Sequence, residues 1–213
     1  MKAIFILFTL ISISQALTIT GEAKVDNEKV YTEIRKYNSS GALLYESVYK
    51  DSKDKIITTK RTHKSQPQWR PTFDIVDTRN NANLNVRVEG NLVKSTFIEN
   101  KDTNHYIRKY KQDWIWDSGI HYWIVENWDQ LSSTKKLTIY APENDYVLPF
   151  KAIKEKDGKL ERVTLTPQSW WLKVLLKEIK IWYNEQKEIV TYDGLSDIKD
   201  GDGDNYITTI DYK

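Results

Sequence analysis

The sequence predicts a mainly β protein with a single antiparallel, strongly curved sheet. We expect a half-barrel of about ten to twelve strands, with two short helices against its concave side. Three observations support this prediction. Short runs of alternating apolar and polar residues recur along the chain, turn residues separate them about every 8–12 residues, and only two segments have helical spacing.

The first sixteen residues have the pattern of a cleaved export signal. Lys2 supplies a positive charge, residues 3–13 are an apolar run, and Ser14-Gln15-Ala16 fits the small-x-small cleavage pattern. A spanning helix needs about 20 apolar residues, so this run is too short to cross a bilayer. We therefore expect a signal peptide at 1–16, a single β-rich domain at 17–213, and no transmembrane segment after cleavage. The protein would then be periplasmic or secreted.

Composition limits the classes of fold and partner. Removal of the signal leaves roughly 197 of the 213 residues, which is enough for one well-buried domain. The chain has no cysteine, so an exported protein of this sequence depends on its core rather than on disulfides. Lys2 is the only charged residue of the signal, and its loss lowers the formal net charge from +2 to +1. Such a charge gives no field that would recruit nucleic acid.

The strands follow in order, separated by turn residues. Leu84, Val86 and Val88 give a regular alternation, and Gly90-Asn91 and Asp157-Gly158 are typical of hairpin turns. Thirteen segments are candidates for these strands: 25–37, 42–50, 55–63, 73–79, 82–89, 92–99, 105–112, 135–140, 147–156, 159–166, 179–183, 188–192 and 206–212. A Gly- and Asp-rich loop is expected at 194–205.

Two helices are predicted between these strands. The first begins at Asp117 as N-cap and repeats apolar residues at helical spacing: Ile120, Trp123, Ile124, Trp128 and Leu131. The second begins with Thr166 as N-cap and Pro167 at the first helical position. Its predicted apolar face consists of Trp170, Trp171, Val174 and Leu175.

One motif resembles a calcium-binding loop only weakly. Asp200, Asp202 and Asp204 alternate as calcium ligands do, but Asn205 stands where such a loop requires glycine. Asp211, at the twelfth position, falls in a predicted strand rather than a helix. The pattern favours an acidic hairpin turn, so we expect no metal site.

No catalytic signature is present. The histidines His63, His105 and His121 lack zinc-binding spacing, and no nucleophile elbow, P-loop or dinucleotide fingerprint occurs. We therefore expect no cofactor, and the sequence favours a role other than catalysis. A hydrolase with a carboxylate site is kept as an alternative, although the sequence does not single out a catalytic pair among its thirty acidic residues.

The heavy aromatic content suggests a ligand-binding groove. Eight tryptophans and thirteen tyrosines occur in the chain. Seven of the tryptophans are candidate ligand-binding residues for an apolar molecule: Trp114, Trp116, Trp123, Trp128, Trp170, Trp171 and Trp182. The alternative is that they fill the space between helices and sheet as core residues.

Several short motifs resemble a group of uncharacterised exported bacterial proteins. These motifs are Val147-Leu148-Pro149-Phe150, Leu165-Thr166-Pro167, 179–183, Tyr192–Ile198, Pro71-Thr72-Phe73 and Asp77-Thr78-Arg79. That group consists of domain-of-unknown-function proteins akin to families with an unclosed β-barrel like that of lipoprotein carriers. The resemblance implies this fold over most of the mature chain, and it implies no activity.

The hypothesis that the sequence favours is an exported protein that binds a lipid, an acyl chain or another apolar small molecule in a half-barrel groove. The alternatives are a cell-envelope structural or interaction module that acts through its sheet edges, and a hydrolase with an unrecognised carboxylate site. The sequence does not identify the ligand or a protein partner.

Overall fold

The structure is a computed structural model that describes residues 17–38, 41–200 and 203–213. The predicted signal peptide at 1–16 lies outside the described residues, so export stays a prediction. The strands are β1 (Thr18–Val25), β2 (Glu28–Tyr37), β3 (Leu43–Asp51), β4 (Ile56–His63), β5 (Phe73–Asp77), β6 (Ala82–Glu89), β7 (Leu92–Glu99), β8 (Asp102–Lys109), β9 (Trp114–Trp116), β10 (Lys135–Ala141), β11 (Tyr146–Asp157), β12 (Leu160–Pro167), β13 (Ile179–Tyr183), β14 (Ile189–Lys199) and β15 (Asn205–Tyr212). The helices are α1 (Ile120–Glu126) and α2 (Trp170–Leu175), with 3₁₀ helices at Asp117–Gly119 and Trp128–Ser132.

All of these strands belong to one rolled sheet. Their order is β8-β7-β6-β5-β4-β3-β2-β1-β15-β14-β13-β12-β11-β10-β9, so the edge strands β8 and β9 are consecutive in the chain. Every neighbouring pair is antiparallel except β9 with β10. The sheet therefore curls until its two edges approach each other, but no backbone ladder joins them. The predicted mainly β, strongly curved and unclosed sheet is confirmed, with fifteen strands rather than ten to twelve.

Side chains connect the two edges of the sheet where the backbone does not. The Ser95 hydroxyl on β7 donates to the Pro142 carbonyl at 2.9 Å. Arg108 on β8 pairs with Asp145, with 2.6 Å between Nε and Oδ1. Arg70 Nε donates to the Trp114 carbonyl at 2.9 Å and so holds β9 against the loop before β5. Packing and polar contacts thus hold the barrel together across its gap.

The strand count exceeds the prediction for local reasons. The predicted strand 25–37 covers the end of β1, a turn and all of β2, because Asp26 and Asn27 both adopt positive φ angles of 49° and 69° and form a tight hairpin turn. β9 has three residues and is too short for a periodic pattern to identify. β14 continues to Lys199, so half of the loop predicted at 194–205 is strand.

The helix α1 plugs one end of the barrel. Ile120, Trp123 and Ile124 of α1 pack on inward-facing residues of β10–β13 in the largest core cluster. Gly119, just before α1, approaches the Trp69 backbone so closely that an added Cβ would lie 2.1 Å from the Trp69 carbonyl oxygen. Only glycine allows this contact, which seats the plug against the loop before β5. Gly119 is also the helix N-cap, in place of the predicted Asp117.

The opposite end of the barrel carries α2, which differs from its predicted form. Thr166 and Pro167 do not begin the helix; they end β12, and Ser169 is the N-cap. The predicted apolar face is also wrong in orientation. Trp170 is 79% exposed and Val174 77% exposed, whereas Leu172 is 2% exposed and points inward. No helix among the described residues has both the length and the apolar character needed to cross a bilayer.

Candidate functional site

The candidate site is a cavity inside the barrel, at the end opposite the α1 plug. We call it the apolar cavity; its volume is about 280 Å³. Its walls come from β4–β7 on one side and from β10, β11, β13 and β14 on the other, with Ile120 of α1 as its floor. The apolar residues of the wall are Phe73, Ile75, Ala82, Leu84, Phe97, Ile120, Ile139, Tyr140, Ala141, Pro142, Leu148, Phe150, Leu176, Ile179, Tyr192 and Leu195. They are 16 of the 26 lining residues, so the lining is mainly apolar, as it is in ligand pockets.

The polar residues of this wall lie mainly where strands end. Glu99 at the end of β7 pairs with Lys199 at the end of β14, 3.0 Å apart. Asp77 at the end of β5 accepts from the backbone N–H of Arg79 at 2.8 Å and so fixes the β5–β6 turn. These groups line the loop end of the cavity, so its polar groups are concentrated at that end and its apolar surface lies deeper in the barrel.

Two acidic side chains face the apolar cavity at the β10–β11 loop and on β14. Burial raises the pKa of the Glu143 carboxyl, and the charge of nearby Asp197 raises that pKa further. Asp197 itself pairs with Lys60 on β4, with 2.5 Å between Oδ2 and Nζ. The Lys60 side chain is 5% exposed and the Asp197 side chain is 30% exposed, so the ion pair has a buried ammonium and a partly accessible carboxylate in the cavity wall.

A second, smaller cavity lies behind Asp197, and we call it the inner cavity. Its volume is about 110 Å³, and it shares Ile120, Tyr192, Leu195, Ser196 and Asp197 with the wall of the apolar cavity. Its remaining wall comes from β2–β4, β13–β15 and the segment that leads into α1. The inner cavity therefore lies between the plug and the sheet, deeper in the barrel than the apolar cavity.

One buried carboxylate organises the wall of the inner cavity. Glu33 on β2 is 2% exposed, and Arg35 donates to its Oε1 from Nη2 at 2.7 Å. The Ser47 hydroxyl donates to the same oxygen at 3.0 Å, and the Tyr212 hydroxyl donates to Oε2 at 3.0 Å. A buried charge requires such partners, because leaving it unpaired costs several kcal/mol. In the same wall, the hydroxyls of Tyr31 on β2 and Ser196 on β14 share a hydrogen bond of 2.7 Å.

The histidine of α1 lies beside this network. The His121 ring stacks on Tyr183 with centroids 5.9 Å apart and planes 12° apart. Burial lowers the pKa of His121 from 6.5 to about 4, and the positive charge of Arg35 lowers it as well. The imidazole is therefore neutral at pH 7.

Four of the seven candidate tryptophans are buried core residues. Trp114 and Trp116 of β9 pack with Phe73, Leu84 and Tyr140, and the Trp116 indole N–H donates to the Pro71 carbonyl at 2.8 Å. Trp123 and Trp128 belong to the cluster around α1. None of the four is among the residues that line the apolar or the inner cavity.

The other three candidate tryptophans lie elsewhere. Trp170 and Trp171 project from α2, with 79% and 50% of their surface exposed. Trp182 lies on the outer face of β13, where its indole N–H donates to Asp157 at 2.8 Å. α2 leads directly into Leu176 and Lys177 of the cavity wall, so its exposed side chains lie close to that cavity along the chain. The structure does not gather the seven tryptophans into one groove, and their role in binding stays a prediction.

Asp200 and Asp204, on either side of the undescribed residues 201–202, are hydrogen-bonded to each other. The Asp204 N–H donates to Asp200 Oδ1 at 3.0 Å, and the Asp200 N–H donates to the Asp204 carbonyl at 2.7 Å. Asp202 lies outside the described residues. Within the ranges that the structure describes, no three His, Asp or Glu side chains come together as a metal site would require.

Sequence reasoning did not single out the residues of the two cavities. Glu33, Lys60 and Asp197 are distant in sequence and belong to β2, β4 and β14. The sequence does contain one indication of these residues. Glu33 and Lys60 stand at inward-facing positions of predicted strands, where a charge requires a partner. Local patterns cannot identify that partner.

Comparisons with known proteins agree with this fold. No family model matches the sequence, and no curated protein matches it. Among solved structures, the crystal structure of a β-barrel-like protein of domain of unknown function DUF1849 from Brucella abortus is similar. The superposition covers 92% of this chain and 94% of that chain, with a TM-score of 0.56 and 10% sequence identity. At this identity the likeness concerns the fold alone, which is that of an uncharacterised, β-barrel-like domain.

Proposed function

We propose that the protein binds an apolar small molecule, such as a lipid or another acyl-chain compound, in the apolar cavity. The observation that carries the proposal is the cavity itself: about 280 Å³ with a wall made mostly of apolar side chains. Each buried methylene contributes about 0.8 kcal/mol, so a chain of about ten methylenes gains roughly 8 kcal/mol before the costs of ordering it.

The location of the cavity supports entry of such a ligand from one end. α1 fills the opposite end, so the loop end of the barrel is the shorter path to solvent. Exposed apolar side chains of α2, Trp170, Trp171 and Val174, stand at that end, where an apolar ligand would contact them on entry. We also propose that binding takes place outside the cytoplasm, because the first sixteen residues have the pattern of an export signal.

The proposal is tested with a matched pair of variants on β5. Ile75 lines the apolar cavity, whereas its neighbour Val76 is 42% exposed on the other face of the strand. Titration with fluorescently labelled dodecanoic acid should give saturable, one-site binding to the wild type. Ile75→Trp should weaken binding at least about tenfold by filling the cavity, while Val76→Trp should leave it unchanged.

Two outcomes oppose the proposal. If the wild type shows no saturable binding of the labelled dodecanoic acid, the proposal is wrong whatever the variants do. Equal effects of the two variants would place the ligand outside the cavity. Circular dichroism and thermal unfolding of both variants check that each has the wild-type fold.

One observation favours a second candidate function, hydrolysis by a carboxylate site. Glu143 has a raised pKa and faces Asp197 across the wall of the apolar cavity. A carboxyl with a raised pKa can act as a general acid beside an ionised partner. A screen of acyl-ester substrates should then find turnover that Glu143→Gln abolishes, and no turnover by the wild type would exclude this function for those esters. Ligand binding is the better supported function, because Asp197 is already paired with Lys60.

A further inference from the structure

The inner cavity differs chemically from the apolar cavity that it adjoins. Its volume of about 110 Å³ corresponds to three or four water molecules of the liquid at about 30 Å³ each. Charged and hydroxyl-bearing side chains make up much of its wall, and Ile120 and Tyr192 line both this cavity and the apolar cavity. A molecule that spanned both would be apolar along most of its length and polar at its inner end.

The charges in this wall are already neutralised in pairs. Arg35 donates to Glu33 at 2.7 Å, and Lys60 contacts Asp197 at 2.5 Å. The Glu33 carboxylate also accepts from Ser47 and Tyr212, so its partners leave no excess charge for an ion to neutralise. His121 adds none, because its pKa near 4 keeps the ring neutral at pH 7. A charged group entering this space would lose its hydration without gaining a counter-charge.

Two buried polar atoms in the wall lack a hydrogen-bond partner among the described residues. They are the Ser118 hydroxyl oxygen and His121 Nδ1, and both residues line the inner cavity. Ser118 is 8% exposed. A buried polar group without a partner destabilises the fold, so unsatisfied groups in a cavity wall indicate a partner that belongs there. A hydroxyl fits both atoms, because it donates and accepts whichever tautomer His121 adopts.

We propose that the inner cavity binds the uncharged, hydroxyl-bearing head of an amphiphile whose apolar chain lies in the apolar cavity. The inference rests on the proposed function, because the head is placed by a chain that occupies the apolar cavity. Ser118 and His121 hydrogen-bond the head, and the paired charges around it disfavour an ionised one.

The test compares three ligands that share a twelve-carbon chain: glycerol monolaurate with an uncharged hydroxyl head, methyl laurate with no hydroxyl, and laurate with an ionised head. Each displaces the labelled dodecanoic acid from the wild-type protein. Glycerol monolaurate should bind about tenfold more tightly than methyl laurate and more tightly than laurate. Ser118→Ala should lower the ratio of the glycerol monolaurate affinity to the methyl laurate affinity by about 3- to 10-fold, since one hydrogen bond is lost.

A matched control and a second variant keep the test decisive. Ser133→Ala removes an exposed hydroxyl outside both cavities and should leave all affinities unchanged. His121→Phe keeps a ring stacked on Tyr183. Like Ser118→Ala, it should lower the affinity of glycerol monolaurate relative to that of methyl laurate. Should Ser118→Ala fail to fold, the wild-type ratios and His121→Phe still decide the question.

The outcomes separate the two proposals. Equal binding of glycerol monolaurate and methyl laurate, or tighter binding of laurate, overturns the head site while the apolar cavity remains a binding site. The head site is also overturned if the ratio of the glycerol monolaurate and methyl laurate affinities is unchanged in both Ser118→Ala and His121→Phe. Failure of all three ligands to displace the probe overturns the proposed function as well.

Discussion

Single residues decide how this barrel tolerates charge in its interior. Glu33 and Glu46 both form ion pairs with arginines, at 2.7 Å and 2.8 Å, but the Glu33 side chain is 3% exposed and that of Glu46 is 31% exposed. Glu33→Ala leaves Arg35 buried without its carboxylate, so we expect it to lower the free energy of unfolding by about 3–5 kcal/mol. Glu46→Ala should cost no more than about 1 kcal/mol. Urea unfolding of both variants checks the difference, and similar losses would contradict the role of burial.

A second prediction at this scale concerns pH and His121. Burial lowers its pKa to about 4 in the folded state, against 6.5 in the unfolded chain. Below pH 6.5 the unfolded state therefore binds a proton that the folded state excludes, so stability falls as the pH falls from 6.5 to 4. The total loss is at most about 3 kcal/mol.

The variant His121→Phe isolates this effect, because it keeps the ring and removes the titrating group. The difference in unfolding free energy between wild type and variant should change between pH 6.5 and 4 and be constant above pH 7.5. Unfolding in urea at several pH values measures it. A difference that is constant across the whole range would contradict the lowered pKa.

Among the elements, α2 gives the sharpest contrast between pattern and structure. Its tryptophans have the largest apolar side chains of the segment, yet Trp170 is exposed and Leu172 is buried. We expect Leu172→Ala to cost about 2–5 kcal/mol of unfolding free energy and Trp170→Ala less than about 0.5 kcal/mol. Thermal unfolding compares the two variants. A larger loss of stability for Trp170→Ala than for Leu172→Ala would support the orientation of α2 predicted from the sequence.

The same elements illustrate how far the sequence determines the fold. Regular alternation placed β6, β7 and β13 at the observed bounds, because one face of each strand is buried and the other is solvated. The pattern failed at β9, where both faces are buried: Ile115 packs toward α1 and Trp116 toward β5–β7. It also failed at α2, because six residues are too few for a helical period to distinguish an inward from an outward face.

At the scale of the whole molecule, the many short strands were enough to predict an unclosed barrel. They were not enough to predict which residues line the candidate site. Lys60 and Asp197 meet only because the sheet rolls β4 toward β14, and 137 positions separate them in the chain. Sequence periodicity determines which face of a strand is inward, whereas the closure of the sheet determines which inward residues meet. The tryptophans drew attention because of their type, while smaller apolar residues such as Ile75 and Leu84 line the cavity.

The rolled sheet also bears on the alternative of an interaction module acting through its edges. β1 and β15, the first and last strands, pair with each other and offer no free edge. β8 is an edge strand, seven of its eight residues are exposed, and Ile107 is 67% exposed. Lys109, Arg108 and Asp102 also lie on β8, and charges on an edge strand oppose pairing with another chain. The observations therefore favour the cavity over the edge as the functional feature.

Native mass spectrometry of the protein purified from its own host, followed by organic extraction, tests the central claim most directly. We expect a bound mass in the wild type that extraction releases as an acyl-chain compound, and we expect the bound mass to be reduced in Ile75→Trp but retained in Val76→Trp. An apo mass for the wild type, together with no uptake of added glycerol monolaurate, would contradict the claim that the apolar cavity is a binding site.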